Sequence, residues 1–460
     1  MPGLDEVLSK AIKLVEPSED EMSRVEGVAK EVIERVKKEA EKSPFKPEAV
    51  LGGSFAKGTW LRGEADIDIF LMFPHDAPDG VLEKDGLEIA LSSLRNERPT
   101  LRYAEHPYVE AYADGIRVNV VPCFKVPMGR WRSAADRSPY HTDFIAKNFD
   151  DGLRREARLL KKFMKSLGIY GAEIKVQGFS GYVCEVLVWK FRSFKSVIEE
   201  AANFRERHVI SFDGFDDSVK DVYRSPLIIL DPIDRRRNLG AAISQESVGK
   251  FILSSRRFLK RPEISYFKEV DAVKGLARSR LLDSIVVLAF KHPQKSPDIL
   301  YGELKRSLYH LTKQVEARGF KVLRGECASD ERTNSAFIFL LESMNLPPYT
   351  LRVGPTIYMK DDVDRFLEKN IRRSELLWIR SDARVVALQR RKVRGIRSLL
   401  DELIGLGAKD VGLASGLRED VIKSYKIYSS KEVLKCRRLE WLKEAMLRIV
   451  KTDERSMGAD

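Results

Sequence analysis

Polar and apolar side chains alternate along the stretch from Asp66 to Leu71, which reads Asp-Ile-Asp-Ile-Phe-Leu. Alternation with a period of two indicates a β-strand, because successive side chains of a strand point to opposite faces of a sheet. Asp66 and Asp68 then share one face, and Ile67 and Ile69 share the other. The pattern predicts a half-buried strand that presents two carboxylates on its polar face.

The chain before this strand predicts helices, and the chain after it predicts further strands. Residues 4–43 read as two helices, and the second has one apolar stripe that suits packing on the sheet. The stripe consists of Val25, Val28, Val32, Ile33 and Val36. Gly52 ends a short strand, and a helix is expected over 81–93.

A hairpin is expected between two later strands. Strands over 101–104 and 108–113 lead to Asp114-Gly115, a tight-turn signal that precedes a strand over 116–124. Arg117, Asn119 and Val121 are expected on one face of that strand. Residues 1–150 would thus form one domain of mixed sheet and helices.

From residue 150 to about 257 the apolar positions take the period of helices. Helices are expected over 156–168, 178–204 and 244–259, and an apolar strand feeds the basic loop Arg235-Arg236-Arg237. Beyond residue 260, strands over 284–290, 320–325 and 336–341 surround a helix over 299–318. This order predicts a small antiparallel sheet backed by helices. The basic stretches 371–404 and 433–450, with Trp378 and Trp441, are interpreted at least partly as amphipathic helices. The fold class is therefore α+β and multidomain.

Charge and cysteine content narrow the class of protein. The 460 residues carry 81 Lys and Arg against 69 Asp and Glu, a net charge of +12. This excess suits a polyanionic partner such as RNA, although an ion-pair-rich surface would also produce it. The four cysteines are too scattered for a zinc site and too few for a disulfide framework. The chain has no apolar run near the roughly 20 residues that span a bilayer, so we expect a cytoplasmic protein.

A glycine turn precedes the two carboxylates. Glycines let backbone N–H groups approach a phosphate, and Ser54 after Gly52-Gly53 adds a hydroxyl donor. A phosphate cradle followed by two carboxylates in phase is what a metal-assisted nucleotidyl transfer site requires. The alternative for Asp-Ile-Asp-Ile alone is an edge strand with a solvated polar face.

Here the sequence resembles a known family. Gly-Ser, eleven intervening residues and Asp-x-Asp resemble the DNA polymerase β-like nucleotidyltransferase signature. The blocks GGSFAKGTW, RYAEHPYVEAY, VNVVPCFKV, DRSPYH, GFSGYVCEVLV and DPIDRRRN are similar to those of the archaeal (class I) CCA-adding enzyme, a tRNA nucleotidyltransferase. The resemblance implies a polymerase β-like head over 1–150, a helical neck over 151–258 and α+β C-terminal domains over 259–460 that hold RNA. It further implies addition of C, C and A to the tRNA 3′ end from CTP and ATP with Mg²⁺, in an enzyme that is often a homodimer.

The resemblance also implies roles for individual residues. Asp66, Asp68 and Asn119 match the catalytic, metal-binding positions. The nucleotide-binding positions hold Gly53, Ser54, Lys57, His141, Lys161, Tyr170 and Arg237. Lys57 stands where the family often has Arg. Outside the family pattern, Lys161 reads as a solvated lysine, Tyr170 as the end of a helix, His141 as a turn cap and the three arginines as a surface charge run.

Position 119 departs from the family, which has a third aspartate there. An amide oxygen can coordinate a cation, but it is neutral and cannot act as a general base. We therefore expect strongly reduced catalysis with retained nucleotide and RNA binding; either a natural change or a substitution made to trap a substrate complex would account for Asn119. Glu110 and Asp114 are expected off register or on the far side of the hairpin. The alternatives are a poly(A) polymerase-like enzyme and a non-catalytic RNA-binding relative.

Overall fold

The computed structural model describes residues 3–103, 106–212, 218–268, 279–405, 411–451 and 457. Ala104, the last residue of one expected strand, lies outside this part. The chain divides into one unit of Met1–Val270 with Thr452–Asp460, and a second unit of Asp271–Lys451. In the described ranges, no helix combines the length and the apolar character needed to cross a membrane.

The first unit combines helices with one large and one small sheet. Its helices are α1 (Leu4–Val15), α2 (Glu19–Ala40), α3 (Gly53–Ala56), α4 (Leu87–Ser93), α5 (Ser138–Asn148), α6 (Asp151–Ser166), α7 (Gly181–Phe191), α8 (Phe194–Ala202), α9 (Val219–Val222) and α10 (Gln245–Lys260). Its strands are β1 (Glu48–Gly52), β2 (Asp66–Pro74), β3 (Thr100–Tyr103), β4 (Pro107–Ala113), β5 (Ile116–Lys125), β6 (His208–Ile210) and β7 (Leu227–Ile229).

The large sheet has the strand order β1-β2-β5-β4-β3, and β6 pairs with β7 separately. Strands β2 and β5 are parallel, and the other three pairs are antiparallel. Asp68 pairs with Asn119 between β2 and β5, and Asn119 pairs with Glu110 between β5 and β4. Because paired residues share a face, Asp68, Asn119 and Glu110 form one row across the sheet.

The expectation that Glu110 is off register from position 119 is wrong. The two-residue turn Asp114-Gly115 pairs Ala113 with Ile116. This pairing sets the register of the whole hairpin, so Glu110 lies opposite Asn119. Asp114 itself lies in the turn with φ +49° and is exposed.

The opposite face of the sheet packs on α2, as the apolar stripe predicted. Val25, Val32, Ile33 and Val36 are buried in one cluster with residues of β2, β4 and β5, and Val28 packs against it. The alternation in β2 and β5 thus separates an apolar core from a polar face, and the polar face holds the acidic residues.

A second core joins the helices that follow the sheet. It contains buried residues of α6, α7, α8 and α10, with aromatic contacts around Phe163. Helix α1, although it begins the chain, packs its buried side chains in this second core. The single helix expected over 178–204 is two helices, because Arg192 adopts a left-handed φ of +70° and the Ser193 side chain caps the next helix at Ser196 N.

The second unit also combines helices with two sheets. Its helices are α11 (Pro297–Ala317), α12 (Lys360–Asn370), α13 (Ile396–Gly405), α14 (Ser415–Ser424), α15 (Ser430–Lys435) and α16 (Glu440–Arg448). Its strands are β8 (Ile285–Lys291), β9 (Val322–Ser329), β10 (Asn334–Leu341), β11 (Tyr349–Thr356), β12 (Leu376–Ile379), β13 (Arg384–Arg390) and β14 (Lys426–Ser429).

The predicted antiparallel sheet is present, in the order β14-β8-β10-β9. The interpretation of the basic stretch 371–404 as at least partly helical is confirmed only at its C-terminal end, in α13. Most of the stretch is a hairpin of β12 and β13, which belongs to the three-stranded sheet β11-β13-β12. The turn between β12 and β13 contains Ala383, whose φ is +59°. Within 371–404, α13 is the only helix. The stretch 433–450 is largely helical, as predicted.

Candidate active site

The glycine turn at the end of β1 lies directly against the carboxylate of Asp68. A Cβ atom at Gly53 would overlap Asp68 Oδ2, and a Cβ atom at Gly52 would overlap the ring of Phe70. Gly53 also has a φ of +66°, which favours glycine. Only glycines therefore allow the chain to turn back over β2, with Ser54 in the first turn of α3.

The two aspartates of β2 are paired with side chains of β5. Arg117 donates from Nε to Asp66 Oδ1 at 2.9 Å and from Nη2 to Asp66 Oδ2, a bidentate ion pair. Asn119 donates from Nδ2 to Asp68 Oδ1 at 2.9 Å. Burial raises the pKa of Asp68, while the hydrogen bond from Asn119 lowers it. Arg117 thus compensates the charge of Asp66, whereas Asp68 has only a neutral hydrogen-bond donor and its pKa remains raised.

The side-chain oxygen atoms of Asp66, Asp68 and Asn119 suit a hard divalent cation. Asn119 Oδ1 is buried and has no hydrogen-bond partner, so rotation of its amide toward Asp68 would break only the bond from Nδ2. The Arg117 side chain is 42% exposed and can turn into solvent. Two carboxylates and an amide oxygen are ligands that Mg²⁺ accepts. Within the described residues, no group of three or more His, Cys, Asp or Glu side chains could hold a metal ion.

Lys57 and Lys161 lie on either side of one buried carboxylate, Glu185 of α7. Lys57 Nζ donates to Glu185 Oε2 and Lys161 Nζ to Oε1, both at 2.7 Å. Thr59 Oγ1 donates to Oε1 at 2.5 Å. Burial alone would raise the pKa of Glu185, but the ammonium groups of Lys161 and Lys57 outweigh it and lower the pKa to about 2. Glu185 therefore fixes both predicted phosphate-binding lysines in place.

Replacing Glu185 by glutamine is expected to destabilise the first unit by about 3–5 kcal/mol, because it leaves two buried ammonium groups without a counter-charge. The free energy of unfolding in denaturant measures this loss. Since the folded pKa is lowered, the carboxylate stabilises the wild-type chain above its ordinary pKa of 4.5, and this stabilisation is lost as the pH falls toward about 2.

The matched control is Glu246→Gln. Glu246 pairs with Lys250 on the surface of α10, where the Glu246 side chain is 70% exposed, so its replacement should change stability little. Equal losses in the two variants would contradict the role of Glu185.

His141 and Arg237 meet at a second carboxylate. Asp231 Oδ2 lies 3.1 Å from His141 Nε2 and 3.3 Å from Arg237 Nη1. Tyr182 donates to Asp231 Oδ1 at 3.2 Å and stacks on the His141 ring, with 3.8 Å between centroids. Burial lowers the pKa of His141, which favours the neutral imidazole. Asp231 thus positions the guanidinium of Arg237 beside the stacked rings of His141 and Tyr182.

Tyr170 lies against the start of α7. A Cβ atom at Gly181 would lie 2.9 Å from the Tyr170 hydroxyl oxygen and 3.7 Å from Lys161 Nζ. The hydroxyl and the ammonium therefore converge on the N-terminus of α7, whose cap is Ser180. Lys57 Nζ lies 5.8 Å from the centroid of the Tyr182 ring, so the lysines adjoin the aromatic stack.

Four residues of this region had no predicted role: Arg117, Tyr182, Glu185 and Asp231. The sequence offered one signal for Glu185, which is an acidic residue within the apolar run of α7. A buried charge of this kind needs a partner. Asp231 directly follows an apolar strand, a position at which a polar side chain often enters a site.

Three family models match successive parts of the chain. Residues 29–147 match the family model of the nucleotidyltransferase domain, residues 155–268 that of the tRNA nucleotidyltransferase second domain, and residues 283–430 that of the CCA-adding enzyme C-terminal domain. The predicted fold class, a nucleotidyltransferase head with α+β domains, is confirmed.

Curated relatives cover nearly the whole chain. The CCA-adding enzyme of Pyrobaculum neutrophilum is 38% identical over 416 residues, which cover 88% of this chain and 95% of that protein. The enzyme of Methanothermobacter thermautotrophicus is 34% identical over 86% of this chain and 87% of its own length. The enzyme of Saccharolobus shibatae is 33% identical over 87% and 92%, respectively. The chain therefore belongs to the archaeal CCA-adding enzyme family of tRNA nucleotidyltransferases.

Proposed function

We propose that this chain adds C, C and A to the 3′ end of tRNA, using CTP and ATP in a single site. The observation that carries the proposal is the position of Asp66 and Asp68 beneath the Gly52-Gly53 turn, beside the two lysines that Glu185 holds. Residues 1–150 and 151–258 would provide the head and the neck, and residues 259–460 would hold the RNA through basic, shape-dependent contacts.

Each group has a chemical role in this proposal. A divalent cation bound by Asp66, Asp68 and Asn119 would supply charge neutralisation at the triphosphate and acidify the attacking 3′-hydroxyl. Ser54 and the backbone of Gly53 donate hydrogen bonds to phosphate oxygens. Lys57 and Lys161 provide positive potential, and Tyr170 orients the nucleotide beside the start of α7. Asp231 positions His141 and Arg237, which contact the base and the ribose of the nucleotide.

A tRNA that lacks its terminal CCA tests the proposal through product length. We expect three added nucleotides in the order C, C, A, and no fourth, when the Asn119→Asp form of the chain is incubated with CTP, ATP and Mg²⁺. Denaturing gel electrophoresis with single and mixed nucleotides reads out both order and number. Continued addition of A would instead favour a poly(A) polymerase-like activity.

A second candidate function has one observation in its favour. Asn119 removes a negative charge and Arg117 occupies both oxygens of Asp66, which suits a relative that binds RNA without catalysis. Absence of any incorporation by the Asn119→Asp variant with Mg²⁺, Mn²⁺ or Co²⁺, together with retained tRNA binding, would select this alternative.

A further inference from the structure

We propose that Asp234 is a positioning residue for the nucleotide base, because it holds the turn that carries Arg237 against the segment between β5 and α5. The inference rests on the proposed function, in which Arg237 contacts the base, and it names the group that keeps this arginine in place. Asp234 would act through Arg237 and not on the nucleotide itself.

The first argument is the closure of the turn. Arg237 donates its backbone N–H to the carbonyl oxygen of Asp234 at 2.8 Å, and Asp231 donates its backbone N–H to the carbonyl oxygen of Arg237 at 3.0 Å. The backbone N–H of Asp234 donates to the carbonyl oxygen of Asp231 at 3.2 Å. Residues 231–237 therefore form one closed turn, in which a displacement of Asp234 moves the backbone of Arg237.

The second argument is the partners of the Asp234 carboxylate. Trp131 donates from Nε1 to Asp234 Oδ2 at 2.9 Å, and Arg137 donates from Nε to the same oxygen at 3.1 Å. The Asp234 side chain is only 11% exposed. The Arg137 guanidinium lies 5.7 Å from the centroid of the Trp131 ring, and the Tyr140 ring packs edge-on against that ring. Two donors that also pack on each other therefore fix one carboxylate oxygen.

The third argument is the rigidity of the segment that supplies these donors. Asp136 is fully buried and accepts hydrogen bonds from four donors of the surrounding chain. They are the backbone N–H groups of Phe124, Arg132 and Ser133, each at 2.8 Å, and the Ser133 hydroxyl at 2.9 Å. Phe124 belongs to β5, so the segment is fixed to the large sheet. Asp234 therefore connects the turn to the sheet that carries the acidic residues.

The fourth argument is that the tip of Arg237 is held weakly. Its Nη1 lies 3.3 Å from Asp231 Oδ2 and 3.3 Å from His141 Nε2. Typical N–H···O bonds are shorter, about 2.9–3.0 Å. In the part of the chain that the structure describes, no other nitrogen of this guanidinium makes a hydrogen bond, and the side chain is 37% exposed. The direction of the guanidinium therefore depends on where the turn places its backbone.

Selectivity between pyrimidine bases is the property that this hold should affect. A guanidinium only donates hydrogen bonds. The N3 atom of cytosine accepts a hydrogen bond, whereas N3 of uracil carries a hydrogen. A well-placed guanidinium therefore favours cytosine, and its displacement should weaken cytosine binding more than uracil binding.

The test measures the preference of the full chain for cytidine over uridine nucleotides. Isothermal titration calorimetry, with Mg²⁺ and a tRNA that lacks CCA, compares the α,β-methylene analogues of CTP and UTP, which cannot be transferred. Asp234→Ala should reduce the ratio of the two affinities by about tenfold, because a misplaced donor no longer discriminates. An unchanged ratio, or equal losses for both analogues, would refute the inference, because a purely structural role would not favour one base.

A second variant keeps the inference testable if Asp234→Ala does not fold. Trp131→Phe retains an aromatic ring beside Tyr140 but removes the indole donor to Asp234. It should reduce the same ratio by about threefold, the effect of one neutral hydrogen bond, since Arg137 still holds the carboxylate. An unchanged ratio for this variant would contradict the inference.

The matched control is Asp79→Ala. Asp79 pairs with Arg132 of the same segment, and its side chain is 99% exposed, so its removal should leave the ratio unchanged. A reduction as large as that in Asp234→Ala would show that the ratio follows surface charge, and it would overturn the inference.

The outcome is separate from that of the proposed function. If the Asp234 and Trp131 variants lower the ratio while Asn119→Asp does not extend tRNA, the positioning role stands for a nucleotide-binding site and CCA addition is refuted. If Asn119→Asp adds C, C and A while Asp234→Ala keeps the ratio, CCA addition stands and Asp234 has no positioning role.

Discussion

Replacing Asp66 and Asp68 together by alanine is expected to reduce the Mg²⁺-dependent affinity for CTP and ATP by about a hundredfold or more, to the value measured in EDTA. Both residues lie on the polar face of β2, and Asp68 lies against Gly53, so in the proposed site the cation and the triphosphate share one location. Isothermal titration calorimetry with and without Mg²⁺ gives the two affinities directly.

The control for this pair is Asp143→Ala. Asp143 is an exposed acid of α5 whose partner is Lys147, and its removal takes away a negative charge that is not on β2 or β5. It should leave the nucleotide affinity unchanged. A double alanine variant that still binds CTP and ATP more tightly with Mg²⁺ than without it would refute the assignment of the site.

Restoring a carboxylate at position 119 has the second largest expected effect. Asn119→Asp should increase the rate of CMP and AMP incorporation into tRNA by about 10²-fold, the lower range for general-base catalysis. Glu110 shares the polar face with Asn119 but is paired with Arg102, so we expect the full gain to depend on position 119. Single-turnover incorporation at saturating nucleotide measures the effect.

The position of Asn119 also predicts where this gain arises. Because the exchange adds a base without changing the phosphate-binding groups, nucleotide affinity should change far less than the rate. Asn119→Ala is the matched variant, since it removes the bond to Asp68 Oδ1 without adding a charge, and it should give no gain. Equal rates for the chain with Asn119 and the Asn119→Asp variant would exclude a catalytic role for this position.

The sequence predicted the sheet because the alternation of polar and apolar residues along its strands is local and regular. Alternation in Asp66–Leu71 and in the strand after Asp114-Gly115 identified the two strands that carry the acids and amide, and the stripe of α2 identified the covered face. The basic hairpin of β12 and β13 was harder to predict from the sequence. The apolar part of β13 is the short run Val-Val-Ala-Leu between terminal arginines, and it shows no alternation of polar and apolar residues.

Contacts between distant segments were not predictable in this way. Lys57 and Glu185 are 128 positions apart, and no periodic pattern connects a loop lysine with one acid in an apolar helix. The pairing of Arg117 with Asp66 depends on the parallel register of β2 and β5. Register across a parallel pair is set by packing over the whole sheet and not by a turn, so the sequence shows both residues but not their contact.

The buried triad of Lys57, Glu185 and Lys161 has a mechanical consequence. It connects the loop after α3 with α6 and α7 through charges that water does not reach. A hinge between these segments would have to separate ions in a medium of low dielectric, at a cost of several kcal/mol. Under the proposed function, the part of the site that this triad connects should therefore stay stiff through successive nucleotide additions, and any change of shape between substrates should come from other parts of the molecule.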